Sequence, residues 1–139
     1  MRILGIDYGD KRIGVAVSDP LGLIAQGVAV IGKGETFEHD IRELKKIIKQ
    51  FDGIDGIVVG LPKTMAGNIG PQADKVISFV EALKNEFKLN IITWDERLTT
   101  AQAERVLIEA GLSREKRKKV IDKSAAANIL QCYLDCKRK

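Results

Sequence analysis

The period of the apolar residues first changes near residue 33, and that change restricts the fold more than any other feature. Before it come three short runs. Arg2 to Asp7 reads RILGID, Arg12 to Ser18 reads RIGVAVS, and Gly27 to Ile31 reads GVAVI. The first two are joined by the turn-forming Tyr8-Gly9-Asp10-Lys11. Three strand-like runs on short polar links predict an antiparallel meander. After it, Phe37, Ile41, Leu44, Ile48 and Phe51 recur at steps of four and three, which is one apolar helical stripe. Thr36 stands where an N-cap belongs and Gly53 where a C-cap belongs. Strand-like Ile54 to Gly60 and Leu89 to Trp94 then alternate with helical stripes at Val76 to Phe87, at Thr99 to Gly111, and from about Val120 onward. The order βββ-α-β-α-β-α-α implies an α/β fold with a mixed sheet, antiparallel at one edge and parallel at the other, with helices on its faces.

A chain of 139 residues suits one domain, here residues 1–139, and can bury a core without staples. Hydrophobic residues at 45% and charged residues at 30% are an ordinary globular mixture, which excludes a disordered chain. The 23 basic residues exceed the 19 acidic ones by four, a mild excess that fits a polyanionic partner. Cys132 and Cys136, with one histidine in the chain, do not make a tetrahedral zinc site and read as reduced thiols on a helix. No leader and no stretch of the roughly 20 apolar residues that a bilayer demands is evident, so a cytoplasmic protein with no membrane partner is expected.

Sites in mixed α/β sheets gather at the carboxyl ends of the parallel strands. Asp7 closes the first strand, and Asp95 and Glu96 follow the Leu89 to Trp94 strand directly. Each alone could be a turn former bonded to its own backbone. Asp122 adds to them. At about 100° per residue it falls in the middle of the stripe that holds Ala126, Ile129 and Tyr133. An unpaired acid on that face is costly. Either Asp122 caps the last helix or it faces a polar site at the end of the core. Three carboxylates on one end of one sheet, without a histidine among them, form a hard oxygen-donor set suited to Mg²⁺ or Mn²⁺. Two such ions would serve a phosphodiester displacement. The only histidine, His39, sits early in a helix, which disfavours a histidine base.

Basic residues supply the substrate side. Arg12 follows the first turn, Arg97 follows the acid pair, and Lys63 follows the Gly60 strand end. Arg can hold a phosphate through two bonds. Arg114, Lys116, Arg117, Lys118 and Lys119 form a dense run just before Asp122. Such a run is often only a solvated face, but beside an acidic site it reads as a nucleic-acid contact. The 7 aromatic residues form no stacking ladder, which favours a structured substrate read through its backbone.

Four blocks, in order, carry a resemblance: DYGDKRIGVA at Asp7 to Ala16, GLP at Gly60 to Pro62, DERLTT at Asp95 to Thr100, and DKSAAANIL at Asp122 to Leu130. Together they resemble the YqgF (RuvX) family over nearly the whole chain. The resemblance implies a ribonuclease H-like fold with a five-stranded mixed sheet. It also implies a metal-dependent nuclease that processes the 5′ end of the small-subunit ribosomal RNA precursor. An older reading of the family is Holliday junction resolvase. Carried over, the acids are Asp7, the Asp95–Glu96 pair and Asp122, with Glu96 favoured as the metal-site member of the pair. Alternation puts Asp95 and Glu96 on opposite faces without saying which face is active. No fourth acid stands out. The substrate is expected to be structured RNA or branched DNA, the protein a monomer or a homodimer. A non-catalytic assembly factor and a nucleotide-binding domain of the actin and sugar-kinase type are the competing classes, and the latter needs two such domains where this length allows one.

Overall fold

The computed structural model describes residues 2–62, 70–96, 111 and 125–137. Five strands, β1 (Arg2–Tyr8), β2 (Arg12–Ser18), β3 (Ala25–Gly32), β4 (Ile54–Leu61) and β5 (Asn90–Asp95), form one sheet in the order β3-β2-β1-β4-β5. The meander β1-β2-β3 is antiparallel, and β4 and β5 add to β1 in parallel, as the change of period requires. Three helices are described: α1 (Phe37–Ile48), α2 (Pro71–Glu86) and α3 (Ala125–Lys137). The helix expected at 99–111 lies outside the described residues, Gly111 apart. Among the described residues, no helix is long and apolar enough to cross a membrane.

Strand alternation sorts the core into two layers. Leu4, Ile6, Tyr8, Ile57, Val59, Leu61 and Ile91 pack with α1 and α2 through Leu44, Val76, Phe79 and Leu83. Val58, Ile92 and Trp94 face the other way and pack with Ala126, Ile129, Leu130 and Leu134 of α3. Positions 3, 5 and 7 of β1, positions 58 and 60 of β4, and positions 92, 94 and 96 at β5 therefore share the α3 face.

The ends of the helices follow local chemistry. Thr36 caps α1 as expected, its hydroxyl accepting the His39 N–H at 3.2 Å. Gly53 is not the C-cap: α1 ends at Ile48 with Lys49 as cap, and Gly53 takes φ +74° in the turn that leads into β4. Phe51, expected to extend the stripe, instead packs on the core beyond the helix and lies under the Arg2 guanidinium, 5.5 Å from the ring centre. Helix α2 starts earlier than its apolar stripe, because Pro71 is pre-set for a first helical turn. Cys132 is buried and Cys136 exposed on α3, and neither is in a disulfide.

Helix α3 approaches the sheet closely because β1 has no side chain beneath it at Gly5. A Cβ there would stand 2.7 Å from the Leu130 Cβ and 3.1 Å from the Ala126 carbonyl oxygen. Neither atom can rotate away. Gly5→Ala is therefore expected to push α3 off the sheet and lower stability by about 1–3 kcal/mol, the usual cost of overpacking. Urea unfolding of the two proteins measures it, and equal midpoints would show that the helix yields freely.

Candidate active site

Asp7 lies one residue before the end of β1, on the face that α3 covers. Its neighbours across the sheet on that face are glycines. Gly14 of β2 pairs with Asp7 directly, and a Cβ at Gly14 would be 3.7 Å from the Asp7 Cβ. On the other side, the parallel register Gly5–Val58 and Ile6–Val59, continued one step, sets Gly60 of β4 beside Asp7. Gly60 in turn pairs with Trp94 of β5. The space a side chain would occupy at Gly60 is already taken: a Cβ there would be 2.6 Å from Glu96 Oε1 and 2.6 Å from the Ile129 Cδ1. Glu96, just past β5, thus lays its carboxyl across the bare backbone of β4 and meets Asp7.

That meeting has an electrostatic signature. The Glu96 carboxyl is pushed up from its ordinary 4.5 to about 8. Burial is the largest cause, followed by its hydrogen bond with Asp7 and the negative charges of Asp7 and Asp95. At neutral pH the metal-free Glu96 carboxyl holds its proton, which it donates to Asp7. Asp95 is one step out of phase and belongs to the face of α1 and α2, so the alternation that left the pair unresolved in the sequence now separates them: Glu96, not Asp95, shares a site with Asp7.

Among the described residues, no group of three or more acids, histidines or cysteines is gathered as a metal cluster. The third expected acid, Asp122, lies outside the described residues, as do Lys63, Arg97, Arg114, Lys116, Arg117, Lys118 and Lys119. Arg12 is described. It is exposed at the start of β2, and its carbonyl accepts the Gly9 N–H at 2.9 Å, which closes the turn between Asp7 and Arg12. Gly60 and Gly14 are the functional positions that the residue-by-residue reading passed over. Their signal was present, since glycine inside a strand often marks a close approach.

The other face of this strand end is built around Tyr8. Its ring stacks on Phe79 at 4.3 Å and meets Phe37 edge-on at 6.3 Å, and its carbonyl accepts the Gln72 side-chain N–H at 3.2 Å. Burial, helped by the charge of Asp40, pushes the Tyr8 phenol up to about 12. A groove of about 450 Å³ between α3 and the amino ends of the strands is lined by Ile3, Val58, Ile92 and Tyr133 and lies at the opposite end of the sheet from the paired acids.

Comparison with known proteins decides the lineage. The profile of the family described as "RuvX: Holliday junction resolvase" matches residues 1–136. The chain belongs to the RuvX family. A protein of Clostridium novyi (strain NT) named "Putative pre-16S rRNA nuclease" is 56% identical over 135 residues, covering 97% of this chain and 98% of its own. One of Desulforamulus reducens with the same name is also 56% identical, covering 97% of both chains. Among solved structures, Thermus thermophilus RuvC in complex with a Holliday junction substrate superposes with a TM-score of 0.59 at 14% identity, covering 99% of this chain and 96% of that one. Fowlpox virus resolvase bound to Holliday junction DNA gives 0.57 at 16% identity, with all of both chains covered. These likenesses establish for this RuvX protein the fold of RuvC-like resolvases, which is ribonuclease H-like. A ROK family protein from Streptococcus pneumoniae shares that fold as well, with a TM-score of 0.53 at 19% identity, but this chain spans only 40% of it. Fold alone therefore does not choose the chemistry; the family and the curated relatives point to a nuclease.

Proposed function

We propose that this RuvX protein is a metal-dependent nuclease that hydrolyses phosphodiesters in structured RNA and takes part in maturing the 5′ end of the small-subunit ribosomal RNA precursor. The observation that carries the reading is the Asp7–Glu96 pair. Two carboxyls from separate strand ends are brought together over a glycine, in a pocket where burial and the charge of Asp7 push the Glu96 carboxyl up to about 8. That cradle fits Mg²⁺ or Mn²⁺: it offers oxygen donors and no basic side chain among those described, and a Cβ at Gly60 would push the Glu96 carboxyl out of it. Asp7 and Glu96 would hold the ion, with Asp122 as third donor. When bound, the ion would polarise the scissile phosphate and oppose the charge that develops there. The chain's own part is to bind and orient. To hold a cation, Glu96 would give up the proton that it donates to Asp7. Arg12 and Arg97 grip phosphates on the substrate side.

Cleavage assays with Mg²⁺ or Mn²⁺ on precursor ribosomal RNA and on four-way DNA junctions, with the Asp7→Asn protein beside the wild type, test this directly. Cutting of the RNA by the wild type alone is expected. The family's description favours a second reading, resolution of branched DNA. It requires a two-fold dimer that places two sites on two strands. Preference for junctions by a dimer would replace the RNA reading, and a monomer that cuts RNA would retire the junction reading.

The basic run belongs to the same proposal. Lys116, Arg117, Lys118 and Lys119 are expected to contact phosphates. Each phosphate neutralised steepens the dependence of log K on log salt by about 0.9 on duplex DNA. Replacing all four by Ala should weaken binding and flatten the slope by about 2–3.5. An unchanged slope would mean that the run is a solvated surface.

A further inference from the structure

Asp40 is a fully buried acid that the proposed chemistry does not use. It sits in the first turns of α1, on the core side of the helix with Ile41, Leu44 and Ile47, and is 0% exposed. A leucine would suit that face better, because a buried carboxylate is costly unless it is hydrogen-bonded. What it bonds is the linker between β3 and α1. Its Oδ1 accepts the Gly34 N–H at 2.8 Å and lies 3.1 Å from His39 Nδ1, while its Oδ2 has no hydrogen-bond partner among the described residues. Gly34 is pressed so closely under the His39 ring that a Cβ would stand 2.2 Å from Nδ1. The residue before it, Lys33, donates its backbone N–H to the Lys11 carbonyl at 3.1 Å and holds its ammonium 4.6 Å above the centre of the Tyr8 ring. Lys11 precedes Arg12. The contacts thus run unbroken from Asp40 through Gly34 and Lys33 to both arms of the hairpin that carries Asp7 and Arg12. Asp40 packs on the face of α1 and α2, whereas Asp7 and Glu96 are on the face of α3, so Asp40 reaches neither a metal in their cradle nor a phosphate held there.

We infer that Asp40 is a positioning residue: by fixing the linker at Gly34 it sets where Arg12 meets the substrate. The inference rests on the nuclease reading and on the assignment of Arg12 to phosphate. Replacing Asp40 by Leu takes the acceptor away from the Gly34 N–H, which destabilises, so Asp40→Leu should melt below the wild type while still folding, and a positioning role is told from lost stability by its dependence on Arg12.

The test is a double-mutant cycle on the full chain. Direct binding and Mn²⁺-supported cleavage of a precursor ribosomal RNA fragment are measured for wild type, Asp40→Leu, Asp40→Asn, Arg12→Ala and Asp40→Leu with Arg12→Ala. Asp40→Leu should raise Kd and KM about tenfold with kcat within twofold. The double variant should bind no worse than Arg12→Ala alone. Asp40→Asn, which keeps an acceptor for Gly34, should bind within about threefold of wild type. Amide exchange at Lys33 and Gly34 should quicken in Asp40→Leu and recover in Asp40→Asn. If Arg12→Ala weakens binding and Asp40→Leu does not, Asp40 is structural only and the inference falls while the nuclease reading stands. If Arg12→Ala leaves binding unchanged, the inference falls together with the Arg12 assignment. Asp40→Ala replaces Asp40→Leu, with the same expected rise in Kd, if the leucine variant does not fold.

Discussion

Asp7→Asn should leave a protein that folds as well as the wild type and no longer cuts. Asn has almost the shape of Asp and can still accept a hydrogen bond from Glu96, so the packing between Gly14 and Gly60 survives. The like charge is removed. Two charges 4 Å apart repel by about 1 kcal/mol in water and by about 4 at an effective dielectric of 20. Metal-free stability should therefore be unchanged near neutrality, where Glu96 is protonated, and higher above pH 8. Metal-dependent cleavage should fall more than about 100-fold, a loss of about 2.7 kcal/mol or more in barrier lowering. If Asp7 served instead to form the Tyr8-Gly9 turn or to pair with Arg12, losing its charge would cost stability, and activity would fall only as far as folding does. One thermal melt and one cleavage assay separate these outcomes by sign. A folded Asp7→Asn protein that cuts at the wild-type rate would sink the mechanism.

Glu96→Gln is expected to change the pH dependence of stability. In the metal-free fold the Glu96 carboxyl titrates near 8 against an ordinary 4.5, with burial the leading cause and Asp7 next. Between those two values the native state holds a proton that the unfolded chain has lost. The stability tied to this proton is complete below about pH 4.5 and is lost as pH rises through 8. A tenfold change in proton affinity is worth about 1.4 kcal/mol, so the total is a few kcal/mol. The wild type without metal should soften steadily from about pH 5 to about 8.5. Glu96→Gln, neutral and of the same shape, should lack this decline and melt about 5–10 °C above the wild type at the upper end of that range. Millimolar Mn²⁺ should restore the wild type at that pH by taking the proton's place, since a ligand that binds only the native state stabilises it. It should leave Glu96→Gln almost unmoved. Parallel pH profiles with and without Mn²⁺ for the two proteins would mean that Glu96 is not part of a cation site.

The architecture was legible in the sequence because one strong signal, the change of period, carried it. Strand count, the antiparallel edge and the parallel half all follow from that signal. The site was only half legible. Period-2 alternation says that Asp95 and Glu96 point opposite ways, but the choice of face depends on which helices cover which side, and that is decided by non-local packing of Ala126 and Ile129 on Val58 and Ile92. Gly60 looked like one residue of a short motif, whereas its role is the room it leaves for a carboxyl arriving from the next strand. Asp40 was invisible for a different reason. An acid in the first turn of a helix is ordinarily a solvated partner of the helix dipole, and nothing in the stripe reveals that this one is turned inward to bind a backbone N–H two residues ahead of the cap.

The placement of the two acids also bears on the order in which the molecule matures. The meander of β1, β2 and β3 is contiguous in the chain and can close early, through short loops. Glu96 arrives only when β5 has paired with β4, after two helical crossovers, and such long-range parallel pairings form late because loop closure precedes their reward. Asp7 is thus in place on a partly folded chain, yet without its partner it is a lone exposed carboxylate with little hold on a divalent ion. On the proposed nuclease reading, a nascent or misfolded copy still lacking β5 would hold no cation between Asp7 and Glu96, and the capacity to cut would switch on only as β5 docks.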